Sequence, residues 1–168
     1  DTGIWMNTQR PEWNDANNAL VGTGVSAVTL CYLHRFLNKA VLLFSELEQD
    51  SVQLSTEVAT FMSDVGSVLE AHQGSIGEGP VSDAVRKEVM EALGTAAERY
   101  RQGIYDHGFS ASKRSVSLAS IVDCLSRARD IRAISIRSNR RQDGLYHAYN
   151  RIAVREDGVE IKYLYEML

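Results

Sequence analysis

The segment Arg10-Pro11-Glu12-Trp13-Asn14-Asp15-Ala16-Asn17-Asn18 crowds two carboxylates, an indole and three amides into nine residues. A carboxylic acid beside a flat indole in a partly dry pocket has its pKa raised toward the working pH and becomes a proton donor. Polarity then disappears. From Ala19 to Leu33 the chain reads ALVGTGVSAVTLCYL, the pattern of a buried helix, so the cluster is expected on the loop and first turn that open it. A rigid apolar element would hold these groups still, which is how sites are built. Capping alone is the competing account: Asn14, Asp15, Asn17 and Asn18 are all good N-cap residues, and acidic side chains suit a helix start. One such residue would suffice for that purpose, and capping does not explain Trp13.

The chain of 168 residues fits one domain and can bury a substantial core. Hydrophobic content of 44% with two prolines indicates an ordered globular protein. A net charge of −4 gives no reason to expect a nucleic-acid partner. Cys31 lies in the apolar run and Cys124 in a later helical pattern, so both are expected as buried thiols in a reducing, cytoplasmic setting, without a disulfide. No zinc spacing occurs, and neither a metal nor a cofactor is expected. No signal peptide is expected from the N-terminal residues. The Ala19–Leu33 run falls short of the ~20 apolar residues of a membrane span, so no membrane association is expected. No initiator Met is present and Tyr163 to Leu168 breaks off in mid-pattern, from which a piece of a longer polypeptide is expected.

Helical periodicity dominates. Helix one is expected from about Asn14 to about Leu47, roughly 50 Å long at 1.5 Å per residue, with a first half apolar nearly all round and therefore buried on more than one side. Helix two, about Ser51 to His72, repeats Leu54, Val58, Phe61, Val65, Val68 and Leu69 on one stripe. Gly74 to Pro80 is a loop; its three glycines lack the Walker spacing and lysine of a phosphate cradle. Helix three is expected from about Ser82 to Tyr105, with Pro80 and Ser82 as start signals, and helix four from about Lys113 to about Ser138. The period then changes to two: Tyr146 to Val154 alternates, Glu156-Asp157-Gly158 supplies a turn, and Val159, Ile161 and Tyr163 resume, which is a β-hairpin signal. The expected fold is mainly α, antiparallel helical hairpins forming part of an α/α toroid, with one small C-terminal β-hairpin.

Weaker candidates lie elsewhere. Arg127, Arg129, Arg132, Arg137, Arg140 and Arg141 form a basic stretch that reads first as a solvated helix end and second as an anion site. His34, His72 and His107 stand alone on helical segments. His147, Tyr149 and Asn150 lie in Leu145-Tyr146-His147-Ala148-Tyr149-Asn150, where aromatic and hydrogen-bonding side chains alternate as a sugar-binding strand requires; a plain edge hairpin is the alternative.

Glu12-Trp13-Asn14-Asp15-Ala16-Asn17 resembles the Asp-Trp-Asn-Asp-Gly motif of cellobiose-phosphorylase-like enzymes of the six-hairpin glycosidase superfamily. Asp143 to Asn150 and Asp157-Gly158 are similar to the strand and turn that follow the family's helical hairpins. Glu12 stands where the family commonly has Asp, and Ala16 where it commonly has Gly. The resemblance implies a barrel built as a double ring of helices, of which this chain would supply about two of six hairpins. It also implies that Asp15 is the general acid protonating the glycosidic oxygen, with Trp13 and Asn14 in support; Arg10, from the same polar segment, is expected among the substrate contacts.

Trp13 or Trp5 would stack on a pyranose ring. In an inverting phosphorylase phosphate is the nucleophile and one carboxylic acid suffices, whereas an inverting hydrolase needs a second carboxylate ~6.5 to 9.5 Å away. Glu12 is the near candidate for that second group, but three residues from Asp15 it sits on the same side of the sugar; Glu166 is better placed in principle. The expected partners are an oligosaccharide and inorganic phosphate, with self-association through apolar surface and little activity in the isolated chain. The alternative function, from another class, is a non-catalytic helical interaction domain.

Overall fold

In the computed structural model, residues 3–6, 15–76 and 81–164 are described, apart from the side chains of residues 15 and 17. In chain order the elements are β1 (Ile4–Trp5), α1 (Asp15–Leu20), β2 (Gly24–Ser26), α2 (Ala27–Ser45), β3 (Ser51–Ser55), α3 (Thr56–His72), α4 (Asp83–His107), β4 (Lys113–Ser117), α5 (Leu118–Ser138), β5 (Tyr149–Val154) and β6 (Val159–Tyr163). Strands β1-β2-β5-β6 form one antiparallel sheet and β3-β4 a second. With 58% helix and 19% strand the chain is mixed α/β. The expectation of a mainly α section of an α/α toroid with a single hairpin is therefore overturned.

Three of the expected helices begin too early in the sequence reading, and for one physical reason. Each long helix α2, α3 and α5 follows a strand directly, with a serine at the joint: Ser26, Ser55 and Ser117. Ser26 Oγ accepts the Thr29 amide at 3.1 Å and Ser117 Oγ the Ser120 amide at 3.1 Å, satisfying helix donors that lack an intrahelical partner. No loop residues punctuate these joints, so apolar periodicity runs through them unbroken. The strand signal was nonetheless present in Ser51-Val52-Gln53-Leu54-Ser55, whose Val52 and Leu54 point inward while Ser51 and Gln53 are exposed. Val52 pairs with Val116, and the ladder continues one residue beyond each end through Thr56 N–H to Ser112 O at 3.0 Å and Leu118 N–H to Asp50 O at 2.9 Å.

The expected continuous helix from Asn14 to Leu47 is instead α1, a turn, β2 and α2. Gly22 has φ +81°, a conformation that costs glycine little. A Cβ on Gly24 would lie 2.5 Å from Leu20 Cβ and 2.9 Å from Leu20 O, so only glycine lets β2 pass this close to α1. All three β2 residues are buried, but α2 is not buried all round. Leu30, Leu37 and Ala40 face inward, mainly onto α5, while Val28, Tyr32, Phe36, Leu42 and Leu43 are exposed. Cys31 lies on the exposed side, contrary to its expected burial. Cys124 is half-buried, and burial pushes its thiol pKa up; both cysteines are free. By length and composition α2 is apolar enough to cross a membrane, with mean hydropathy 1.2 in its most apolar window.

Helix α4 starts where expected, Ser82 Oγ accepting the Val85 amide at 3.3 Å, and ends at Gly108 with φ +68°. Leu69, Ile76, Val81 and Ile131 form the core between α3, α4 and α5, with Val65, Val85 and Val89 packed against it. The C-terminal hairpin is present, Val154 pairing with Val159, and Arg155 N–H donates to Gly158 O at 2.8 Å across its loop. Gly158 does not adopt positive φ. It is required by close approach, since a Cβ there would lie 2.7 Å from Asp83 Cβ and 2.9 Å from Asp83 C at the start of α4.

Candidate functional site

Asp15 is the first residue of α1. Arg10, Glu12, Trp13, Asn14 and Glu166 lie outside the described residues, as does the side chain of Asp15. The mount of α1 is well defined. Thr23 N–H donates to Leu20 O at 3.0 Å, closing the helix, while Gly22 N–H donates to Met6 O at 2.7 Å and Met6 N–H to Gly24 O at 2.9 Å. Trp5 Nε1 adds a bond to Gly22 O at 3.1 Å and leaves its ring half-exposed on the edge strand. The start of α1 is thus tied through its far end to the β1-β2 ribbon, and Trp5 is an aromatic face close to that turn.

On the other side of β2 lies β5, with Val25 paired to Asn150 and Ser26 to Tyr149. Asn150 has no exposed surface; its Nδ2 donates to Asn139 Oδ1 at 2.7 Å, and Asn139 Nδ2 donates to Ser135 O at 2.8 Å. Ser135 Oγ donates to Ile131 O at 3.0 Å, so a polar ladder fastens the end of α5 to the sheet. His147 is buried too. It precedes the strand, its N–H donates to Asn139 O at 3.0 Å, and its Nδ1–H donates to Leu164 O at 3.1 Å, a carbonyl being able only to accept. Its ring lies 4.9 Å from that of Tyr163. Tyr149 is half-buried. The structure therefore brings His147 and Asn150 together on Asn139, which the sequence did not single out, and places both in hydrogen-bonding roles within the protein.

An open groove of about 680 Å³ borders His147, lined also by Ser138, Arg140, Arg141, Asp143 and Tyr163. Arg141 pairs with Asp143 at 2.8 Å, and Gly144, at φ +84°, turns the chain back so that Arg140 bridges Tyr146. Half of the basic stretch is held by carboxylates: Arg127 by Asp123 at 2.8 Å and Glu70 at 3.5 Å, Arg129 by Asp130 at 2.8 Å, and Arg141 by Asp143. Arg132 differs, because its Nε is enclosed and has no hydrogen-bond partner. Arg132, Ser135 and Asn139 recur at helical spacing along α5, a polar stripe that periodicity analysis of polar residues would have revealed.

A separate pocket of about 340 Å³ between α3 and α4 holds Glu57, Asp64, Arg99 and His107 beside the stacked rings of Phe61 and Tyr100. Hydrogen bonds from Ser110 hold the Glu57 carboxyl below the usual carboxylate range, and Arg99 pairs with Asp64 at 2.9 Å. A carboxyl stabilised in its ionised form is a poor proton donor near neutral pH. Among the described residues no group of three His, Cys, Asp or Glu side chains could hold a metal ion. No known protein family matches the sequence and neither does any curated protein, so the Trp13-Asn14-Asp15 resemblance stands on its own residues.

Proposed function

We propose that this chain contributes the general acid of a carbohydrate-active enzyme that cleaves glycosidic bonds by phosphorolysis or hydrolysis, with Asp15 as the acid. The observation that carries the reading is the run Glu12-Trp13-Asn14-Asp15 ending at the first residue of α1. Support comes from the mount, which fixes the far end of that helix to the β1-β2 ribbon, where Trp5 carries a half-exposed ring. The mixed α/β fold withdraws the toroidal architecture but does not bear on the proton-transfer chemistry of the motif.

The test uses protein made from its whole open reading frame, assayed on a panel of disaccharides with and without inorganic phosphate. Asp15→Asn keeps the shape and hydrogen bonding of the side chain and removes the proton. Turnover of a substrate with a poor leaving group should fall by ~10² to 10⁴, whereas an activated aryl glycoside, whose leaving group barely needs protonation, should lose much less. Near-normal turnover of the disaccharide by Asp15→Asn would assign Asp15 to capping, where Asn serves about as well as Asp. Absence of glycoside cleavage across the panel would count against the whole reading. A second function, a non-catalytic interaction module, is favoured by the exposed apolar side chains of α2.

A further inference from the structure

A cavity of about 520 Å³ lies between the four-stranded sheet and helices α3, α4 and α5. Its walls are mostly aliphatic, with Val25, Ile152 and Val159 from the sheet and Leu69, Val89 and Leu93 from the helices. Trp5 also lines it while half-exposed, which marks one end as open. Into this chamber come the cationic or titratable side chains His72, Arg86 and Arg132.

Their situations differ. Arg86 donates to the Asp83 carboxylate and to the carbonyls of Val159 at 2.6 Å and Val81 at 2.8 Å, so its charge is neutralised and its donors are engaged. His72 Nδ1–H donates to Val68 O at 2.8 Å, and its Nε2 faces the exposed Glu88 carboxylate at 3.6 Å. Arg132, half-buried as a residue, has neither kind of partner among the described residues: its Nε is enclosed and unbonded, and no carboxylate pairs with it. Burial alone lowers its pKa, with no neighbouring anion to offset the effect. A guanidinium cannot relieve burial by shedding its proton, and enclosing part of a cation without an anion is costly. Such a charge in an apolar chamber is complementary to an anion carrying its own apolar surface.

We propose that this cavity binds an aliphatic monocarboxylate, its head group held by Arg132 and its hydrocarbon body packed between the sheet and α3, α4 and α5. The single net charge of the chamber matches one carboxylate, and the planar guanidinium fork fits its two oxygens. The volume falls within the roughly 300 to 1,000 Å³ usual for small-molecule sites. This inference is independent of the role of Asp15.

Isothermal titration of the chain with octanoate, octanol and inorganic phosphate tests it. Octanoate should bind saturably at one site and shift the tryptophan emission, through Trp5. Octanol keeps the hydrocarbon body without the charge and should bind roughly 10- to 100-fold more weakly, the worth of a charge-assisted hydrogen bond. Phosphate, a charge without the body, should fail to compete at the same concentration. Arg132→Met should lose octanoate affinity by a similar factor while retaining native circular dichroism, and Arg132→Lys should fall between. Equal binding of octanoate and octanol, undiminished octanoate binding by folded Arg132→Met, or competition by phosphate at equal concentration would each overturn the proposal. The ligand comparison decides even if Arg132→Met fails to fold.

Discussion

Asn139 and Asn150 are both almost wholly buried, and the 2.7 Å bond between them joins the last turn of α5 to β5. Replacing Asn150 by Leu preserves approximate volume but takes a donor from Asn139 Oδ1 in a place where water cannot readily substitute. We expect a loss of ~1 to 3 kcal/mol in urea-induced unfolding, the usual cost of stranding a buried polar group. A change within ~0.5 kcal/mol, the range of an ordinary surface substitution, would show that the ladder is not structural. These side chains also explain why the sequence suggested a binding strand. Polar and aromatic residues do alternate from Tyr146 to Asn150, but the strand begins only at Tyr149, and the preceding turn carries His147 inward as well. Period-two reasoning does not see the bend at Ala148 that interrupts the alternation.

At the scale of elements, the β5–β6 hairpin and α4 meet at one tight point. Arg86 reaches Val159 O, Lys87 Nζ reaches Glu156 O at 2.7 Å, and Gly158 lies against the Asp83 backbone. Gly158→Ala should force these elements apart and cost ~1 to 3 kcal/mol, as overpacking does. Gly103, within α4, has nothing near the position of a Cβ. Gly103→Ala should therefore stabilise by ~0.5 to 1 kcal/mol through the helix preference alone. Thermal melts of the two variants should move in opposite directions; a shift of the same sign in both would refute the close-contact argument. The Asp157-Gly158 turn was legible because hairpin signals are local. Its tightness was not, because the crowding atom belongs to Asp83.

For the whole molecule, the exposed face of α2 dominates. Tyr32 and Phe36 are 63% and 65% exposed, and Leu42 and Leu43 lie on the same helix. Water contact of this kind along one helix favours association. Sedimentation of the isolated chain should give a weight-average mass that rises with concentration, and Tyr32→Lys combined with Phe36→Lys should return it to a monomer with unchanged circular dichroism. A monomer at every concentration in the parent chain would refute the expectation. The sequence announced an apolar α2 correctly but misjudged its surroundings, since composition records how apolar a helix is and not how many neighbours it has.

What the sequence determined by itself is what short-range physics controls. The serine cap of α4, its stop at Gly108, the apolar stripes of α3 and α5 and the C-terminal hairpin all follow from residues within a few positions of one another. Tertiary structure decided the rest. Strand β2 exists because Gly24, Val25 and Ser26 pair with Arg151, Asn150 and Tyr149 at the other end of the chain, and β3 because it meets β4 beyond two intervening helices. The same holds for Arg132, one arginine among six in its stretch until the packing of three helices against a sheet encloses its Nε without a counter-charge. Pairing and burial are properties of distant segments brought together, and local periodicity carries no record of which segments those are.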